Sequence, residues 1–206
     1  MDFYITKEEI VKSLSATLGV VEKRQTLPIL SNVLISVDEA SVKLRATDLE
    51  SEIETLSTIT NFKSGGQTTA PAKKLSELCR LLPDLSEIHI FLDGENLKIE
   101  TSSGKYSLST LPSADFPVFD IEEDKNKTSI QASNLKELIN KTSFAMGNQD
   151  WRHYLNGLYL VIDDTKITGV ATDAHRLAIA NQVVNEGSQE KISGIIPRKS
   201  INEIAK

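Results

Sequence analysis

An internal repeat with an offset of 125 residues constrains this chain more than any other feature. Ile5 aligns with Ile130, Ile10 with Leu135, Leu14 with Ile139, Leu30 with Leu155, Asp38 with Asp163, and Thr47-Asp48 with Thr172-Asp173. The stretches LSNVLISVD and LNGLYLVID share their apolar beats, ATD closes the next strand in both copies, and no gap is needed between these anchors. Chance rarely holds a register over more than forty residues, so one supersecondary unit is used twice. The repeat then resumes with a one-residue slip, PAKKLSELCR at 71–80 matching PRKSINEIAK at 197–206. The first copy continues through LLPDLSEIHIFLDGENLKIETSSGKYSLSTL, for which the second copy has no counterpart before Lys206. The expectation is a longer parent protein, cut inside a helix, with a strand edge and apolar surface left uncovered.

Each copy reads as an α+β unit. Residues 7–18 place Ile10, Val11, Leu14 and Leu18 on one helical stripe, and 73–82 do the same with Leu75, Leu78, Cys79 and Leu82. Residues 134–142 repeat the pattern with Leu135, Leu138 and Ile139 behind a Ser133 or Asn134 cap. Pro71 and Pro197 precede their helices, where a missing N–H costs little. Strands are expected at 31–37, 41–46, 88–92, 97–101, 157–162 and 167–171, with Asp93-Gly94 a hairpin signal. The polar, acidic stretch 120–128 reads as a linker, giving domains of 1–120 and 129–206.

The chain is 39% hydrophobic and 25% charged, which excludes the compositions that stay disordered. No apolar run approaches the roughly 20 residues that span a bilayer. The start, MDFYITKEEIVKSL, lacks the pattern of a secretory signal, and Cys79 has no second cysteine to pair with; a cytoplasmic location without membrane attachment is expected. Chemistry finds little purchase. His89 sits in a strand with no cysteine or carboxylate at ligand spacing, and reads as an edge or surface histidine. Gly65-Gly66 lacks the lysine and serine of a phosphate loop. In Asp173-Ala174-His175-Arg176 the aspartate has Asp48 as its repeat partner, so it reads as a turn-former rather than an acid–base catalyst. No catalytic residue, metal site or cofactor is expected, and the chain is not read as an enzyme. The net charge of −6 opposes a generic nucleic-acid binder unless charge is segregated. It is segregated: the windows 6–18, 71–82, 132–143 and 197–206 carry 0, +2, +1 and +2, leaving −11 for the rest.

RQTLPILSNVLI, ATDLE, PAKKLSELCRLLP, KYSLSTLPSADFP, YLNGLYL and VATDAHRLA resemble the corresponding segments of bacterial DNA sliding clamps, the beta subunits of DNA polymerase III. The resemblance runs from Met1 to Lys206. It implies repeated clamp domains with helices on one face of antiparallel sheets, the third clamp domain being absent from these residues. It further implies a homodimeric ring in the full-length protein, which encircles double-stranded DNA without regard to sequence and confers processivity by tethering the polymerase. The partners so implied are the DNA polymerase III alpha subunit, the clamp loader and other proteins carrying a clamp-binding motif. Carried over by position, the DNA-facing candidates are Arg24, Lys73, Gln149, Arg152, His153, Tyr154, Arg198 and Lys199. One half of the client-peptide pocket maps to Leu155, Thr172, His175, Arg176 and Leu177, with Ala174 where the family often has glycine. A natural short clamp-related protein, acting as an interaction or regulatory module, is the alternative.

Overall fold

Alternation of buried and exposed side chains, and two helical stripes, organise the first part of the chain into a layered α+β unit. The computed structural model describes residues 1–21, 27–119, 128–163, 165–184 and 191–206. It divides into two compact units, Met1–Phe119 and Asp120–Lys206. In the first, β1 (Asp2–Thr6) leads into α1 (Lys7–Thr17), where Thr6 accepts the Glu9 N–H and Glu8 and Glu9 complement the helix dipole. There follow β2 (Asn32–Val37), β3 (Ser41–Thr47), β4 (Glu52–Thr58), β5 (Asn61–Ser64) and β6 (Gly66–Pro71). The unit is completed by α2 (Ala72–Leu81), β7 (Glu87–Asp93), β8 (Asn96–Thr101) and β9 (Gly104–Ser109). Two antiparallel sheets result, ordered β5-β1-β7-β8-β9 and β4-β3-β2-β6. In the five-stranded sheet Phe3, Ile90 and Ile99 lie directly opposite one another, and all three are buried. They join Ile10 and Leu14 from α1, Leu75 and Cys79 from α2, and Val33, Ile35, Val42 and Leu44 from the other sheet in one core.

The second unit contains α3 (Ala132–Thr142), β10 (Gly157–Asp163), β11 (Lys166–Thr172), β12 (Leu177–Val183), β13 (Ile192–Pro197) and α4 (Arg198–Ile204). Its four strands form one antiparallel sheet, ordered β12-β11-β10-β13. Leu138 and Ile139 of α3 face Ile167, Ala171, Ala178 and Ala180 in the core, with Ile201 contributed by α4. The repeat survives at the level of elements: Pro71 and Pro197 stand as N-cap residues of α2 and α4, and Leu75 and Ile201 are the buried residues four positions on.

Three expectations differ from the structure. The helix expected at 134–142 begins at Ala132, capped by Gln131 without a side-chain bond, because the Asn134 N–H already closes on the Gln131 carbonyl at 3.0 Å. The strand expected from residue 31 starts one residue later, after a 3₁₀ turn over Pro28–Ser31 whose first position suits the fixed proline φ. His89 is neither at an edge nor on open surface. Its strand, β7, lies between β1 and β8, its side chain is only 19% exposed, and Nε2 lies 2.7 Å from Asp2 Oδ1. The ring also stacks on Tyr4 at 4.3 Å. The Asp2 carboxylate is supplied by strand pairing across 87 positions, which spacing along the chain could not disclose. The expected linker, 120–128, lies outside the described residues except for Thr128.

Candidate functional site

The turn joining β11 to β12 is built by two short polar side chains. Thr172 Oγ1 accepts the Ala174 N–H at 3.1 Å and donates to the Arg176 carbonyl at 2.7 Å. Asp173 Oδ1 accepts the N–H groups of His175 and Arg176 at 3.0 and 3.1 Å. Those bonds, with the His175 N–H foremost and the Arg176 guanidinium adding to them, hold the Asp173 carboxyl below the usual carboxylate range. The first unit makes the same turn: Thr47 Oγ1 accepts from Leu49 and donates to the Ser51 carbonyl, and Asp48 Oδ1 accepts from Glu50 and Ser51. Both turns need a residue in the left-handed region, at Leu49 (φ 74°) and Ala174 (φ 73°). Asp173 is therefore a turn-former, its Oδ bonds among the described residues being to the His175 and Arg176 N–H groups of the turn and to the Arg176 side chain.

This turn presents His175, Arg176 and Leu177 to solvent, and Leu177 is 61% exposed although its apolar character suits a core. Leu155, by contrast, is buried at the end of a 3₁₀ turn over His153–Leu155. Thr172 is half-buried between them in sequence and holds the turn rather than projecting from it. The 3₁₀ turn over Ser143–Ala145 packs against β11 and β12 and brings in a residue that sequence reading missed. Phe144 is exposed, and the Arg176 guanidinium carbon lies 5.6 Å from its ring centroid. Its repeat partner is Gly19, so the repeat gave no hint of an aromatic there; the signal available was a Phe just beyond the last turn of an amphipathic helix.

The loop over 146–156 carries four of the DNA-facing candidates. It is tied at its ends, the Gly147 N–H donating to the Leu155 carbonyl at 2.8 Å. Its middle is held by Asn156, whose Oδ1 accepts the Asp150 N–H at 3.0 Å and whose Nδ2 donates to the Asp150 carbonyl at 2.8 Å. Gln149 is exposed with φ 56°. Arg152 is half-buried and forks onto Asp150, Nε to Oδ1 at 3.1 Å and Nη2 to Oδ2 at 2.9 Å. That fork, aided by the Arg152 N–H, lowers the Asp150 carboxyl to about 2. His153 and Tyr154 project into solvent.

Arg198, at the start of α4, is drawn into the same end of the unit. Its Nη1 donates to the carbonyls of Met146 and Gly147 at 2.8 and 3.2 Å, and its N–H to the Asn156 carbonyl at 2.9 Å. Part of its donor set thus braces the loop. Lys199 follows it, half-buried. Lys73 is half-buried on α2 of the first unit, and Arg24 lies outside the described residues. Among the described residues, no group of three or more His, Cys, Asp or Glu is placed to hold a metal ion, and no helix is long and apolar enough to cross a membrane.

Comparison with known proteins places these features in a family. The family model for the DNA polymerase III beta subunit, N-terminal domain, matches residues 1–120, and that for its central domain matches 129–206. The chain is similar to the beta sliding clamp of Pseudomonas aeruginosa, at 40% identity over 206 residues, and to that of Escherichia coli K12, at 37% over 204. These alignments cover 100% and 99% of this chain but 56% of each relative, so the chain spans about half the length of the curated relatives it matches. Among solved structures it resembles the beta subunit from Pseudomonas aeruginosa (TM-score 0.93, 40% identity) and the sliding clamp from Caulobacter crescentus (TM-score 0.93, 36% identity). Each comparison covers 100% of this chain and 56% of the other.

Proposed function

Because this chain belongs to the DNA polymerase III beta subunit family, we propose that it supplies the first two domains, about 1–120 and 129–206, of a DNA sliding clamp. The clamp is a non-catalytic, cytoplasmic processivity factor that closes around duplex DNA as a homodimeric ring and tethers the replicative polymerase. The observation that carries this reading is the end-to-end match of the two family models, at a TM-score of 0.93 to a solved relative. Charge supports it, since the four helix windows together are basic while the remainder is acidic, the distribution wanted by a ring whose helices face phosphates. DNA contacts are assigned to Arg24, Lys73, Gln149, Arg152, His153, Tyr154, Arg198 and Lys199, acting on phosphates without reading sequence. The Asp150–Arg152 fork and the bonds from Arg198 to loop carbonyls hold two of these cations in fixed positions.

The second assigned site is a half-pocket for short linear peptides of the polymerase alpha subunit, the clamp loader and other clients. Leu155, Thr172, His175, Arg176 and Leu177 form it, and Phe144 stands at its rim beside Arg176. An exposed leucine next in sequence to an arginine whose guanidinium borders an exposed aromatic suits an apolar anchor flanked by polar groups. The other wall would come from the part of the relatives' length that these 206 residues do not match, so peptide binding by the 206-residue segment alone is expected to be weak. A chimera tests the whole proposal: this chain replaces the matched part of the Escherichia coli relative, and primer extension by the polymerase is followed on circular template. Processive extension is the expected result; a chimera that folds and dimerises, yet leaves extension distributive, removes the proposal.

A further inference from the structure

The turn that joins α2 to β7 holds a leucine where neither backbone nor solvent favours one. Leu85 has φ 59°, in the left-handed region that glycine enters freely and a bulky L side chain does not. Its side chain is 99% exposed, and with Leu81, at the end of α2, it is one of the two most exposed large apolar residues among those described. Looseness of the turn does not account for this. Lys7 Nζ donates to the Leu82 carbonyl and to Asp84 Oδ1, the latter at 2.7 Å, and the Lys7 N–H donates to the Ser86 carbonyl at 2.9 Å. Ser86 Oγ closes the turn by donating to the Pro83 carbonyl. The leucine is held out into water by a turn fastened to the start of α1.

Beside it lies a groove of about 540 Å³, to which Leu85 contributes from the turn and Thr6 and Val11 from the end of β1 and from α1. Lys7 and Asp84 neutralise each other in its wall. The charges left at its border are Glu8 and Lys12, both exposed, one helical turn apart on α1 and without an ion-pair partner among the described residues. DNA has the least claim on this helix, since the window 6–18 carries no net charge while the other three helix windows are basic. A knob beside a hole, with opposite charges one turn apart, makes a surface complementary to itself, as a twofold contact between identical chains requires. A partner of one sign satisfies one of these charges and repels the other. We propose that this surface pairs with a second copy of the chain, the two α1 helices crossing antiparallel so that Leu85 of each enters the groove of the other and Glu8 meets the partner's Lys12. The contact uses none of the residues assigned to DNA or to client peptides. The patch is small, so the association is weak.

Sedimentation velocity of the 206-residue chain, from about 10 μM to about 1 mM, tests the proposal. The weight-average coefficient is expected to rise from that of a monomer toward that of a dimer, and less steeply as salt is added. L85G, whose residue suits the backbone better, should fold at least as well and weaken dimerisation about tenfold. K12E and E8K should each weaken it as much by setting like charges together, and the double variant E8K/K12E, which exchanges the two signs, should restore it. All three positions are exposed, so far-ultraviolet circular dichroism should show every variant folded. A chain that stays monomeric throughout overturns the proposal. So does a dimer that L85G and K12E leave unchanged, which forms through another surface, or one that the double variant fails to restore. If the chain stays monomeric and acetyl-leucyl-leucine amide shifts the Val11 and Leu85 amide resonances, the groove takes a client peptide and the second copy is excluded. None of these outcomes bears on the DNA reading.

Discussion

Single residues in this protein are placed by local polar geometry as much as by burial. Ala174 occupies the left-handed region at φ 73°, where an L side chain costs roughly 1–2 kcal/mol and glycine little. Ala174→Gly should therefore stabilise the second unit by about 0.5–1 kcal/mol, after the extra chain entropy of glycine is deducted. Urea unfolding followed on that unit checks it, and a loss of stability would mean that the methyl group packs usefully. Asp150 provides a pH prediction. Its folded carboxyl, at about 2, lies below the unfolded value near 4, so its contribution is fully present above about pH 4 and is lost as pH falls through about 2. The stability difference between the protein and D150N should stay level from neutrality to about pH 4 and close below it. In R152A, which removes the fork but keeps the Arg152 N–H bond, the carboxyl resonance of Asp150 should titrate closer to the ordinary range without fully reaching it. Cys79, whose thiol burial pushes up to about 12, should resist alkylation in the native state.

At the scale of elements, the two copies build one sheet with different outward faces. In the second unit Ile179, Val170, Tyr159 and Ile195 lie opposite one another in a row across all four strands. Ile179, Tyr159 and Ile195 are exposed. The corresponding row of the first unit is Glu54, Arg45, Leu34 and Thr69, with Arg45 bonded to Glu54 through Nε at 3.0 Å and Leu34 buried. The repeat thus preserves register while changing what the face offers. Gly157 shows how closely β10 and β13 approach: a Cβ there would lie 2.6 Å from both Ile195 Cγ2 and the Ile196 carbonyl oxygen. Because one of those atoms is backbone, Gly157→Ala should cost about 1–3 kcal/mol, read as a lower urea midpoint. An unchanged midpoint would show that the strands can part without loss.

For the whole molecule, the two units differ in how much apolar surface they bury. Among the described residues, the core of the first unit gathers 22 buried apolar side chains from two sheets and two helices, that of the second 11, four of them alanine. The second unit should accordingly open first. Amide hydrogen exchange should give lower opening free energies for β10–β13 than for β7 and β8, and a single shared value would show that the units unfold together. The family to which the chain belongs was legible in sequence because whole motifs, TLPIL, SLSTLPSADFP and ATDAHRLA, stand in order along it. Phe144 and the Asp2–His89 pair were not legible, since neither lies in a repeated motif and each meets its partner only through packing.

The sequence by itself determined the architecture: a doubled unit, its helical stripes, its hairpin at Asp93-Gly94 and the turn set by Thr-Asp in each copy. Those features depend on spacing of 125 positions and on side-chain bonds spanning only a few residues, both readable along the chain. Only the tertiary structure decided which apolar residues stay in water. Leu177 and Leu155 read alike as apolar residues of the peptide half-pocket, yet one is exposed and the other buried, because Leu177 faces outward at the start of β12 while Leu155 is buried at the end of its 3₁₀ turn. Likewise Arg152 and Arg198 read alike as DNA-facing candidates. One is locked to Asp150 and the other to two loop carbonyls, because folding brings Met146 and Gly147 to the start of α4 across some fifty positions.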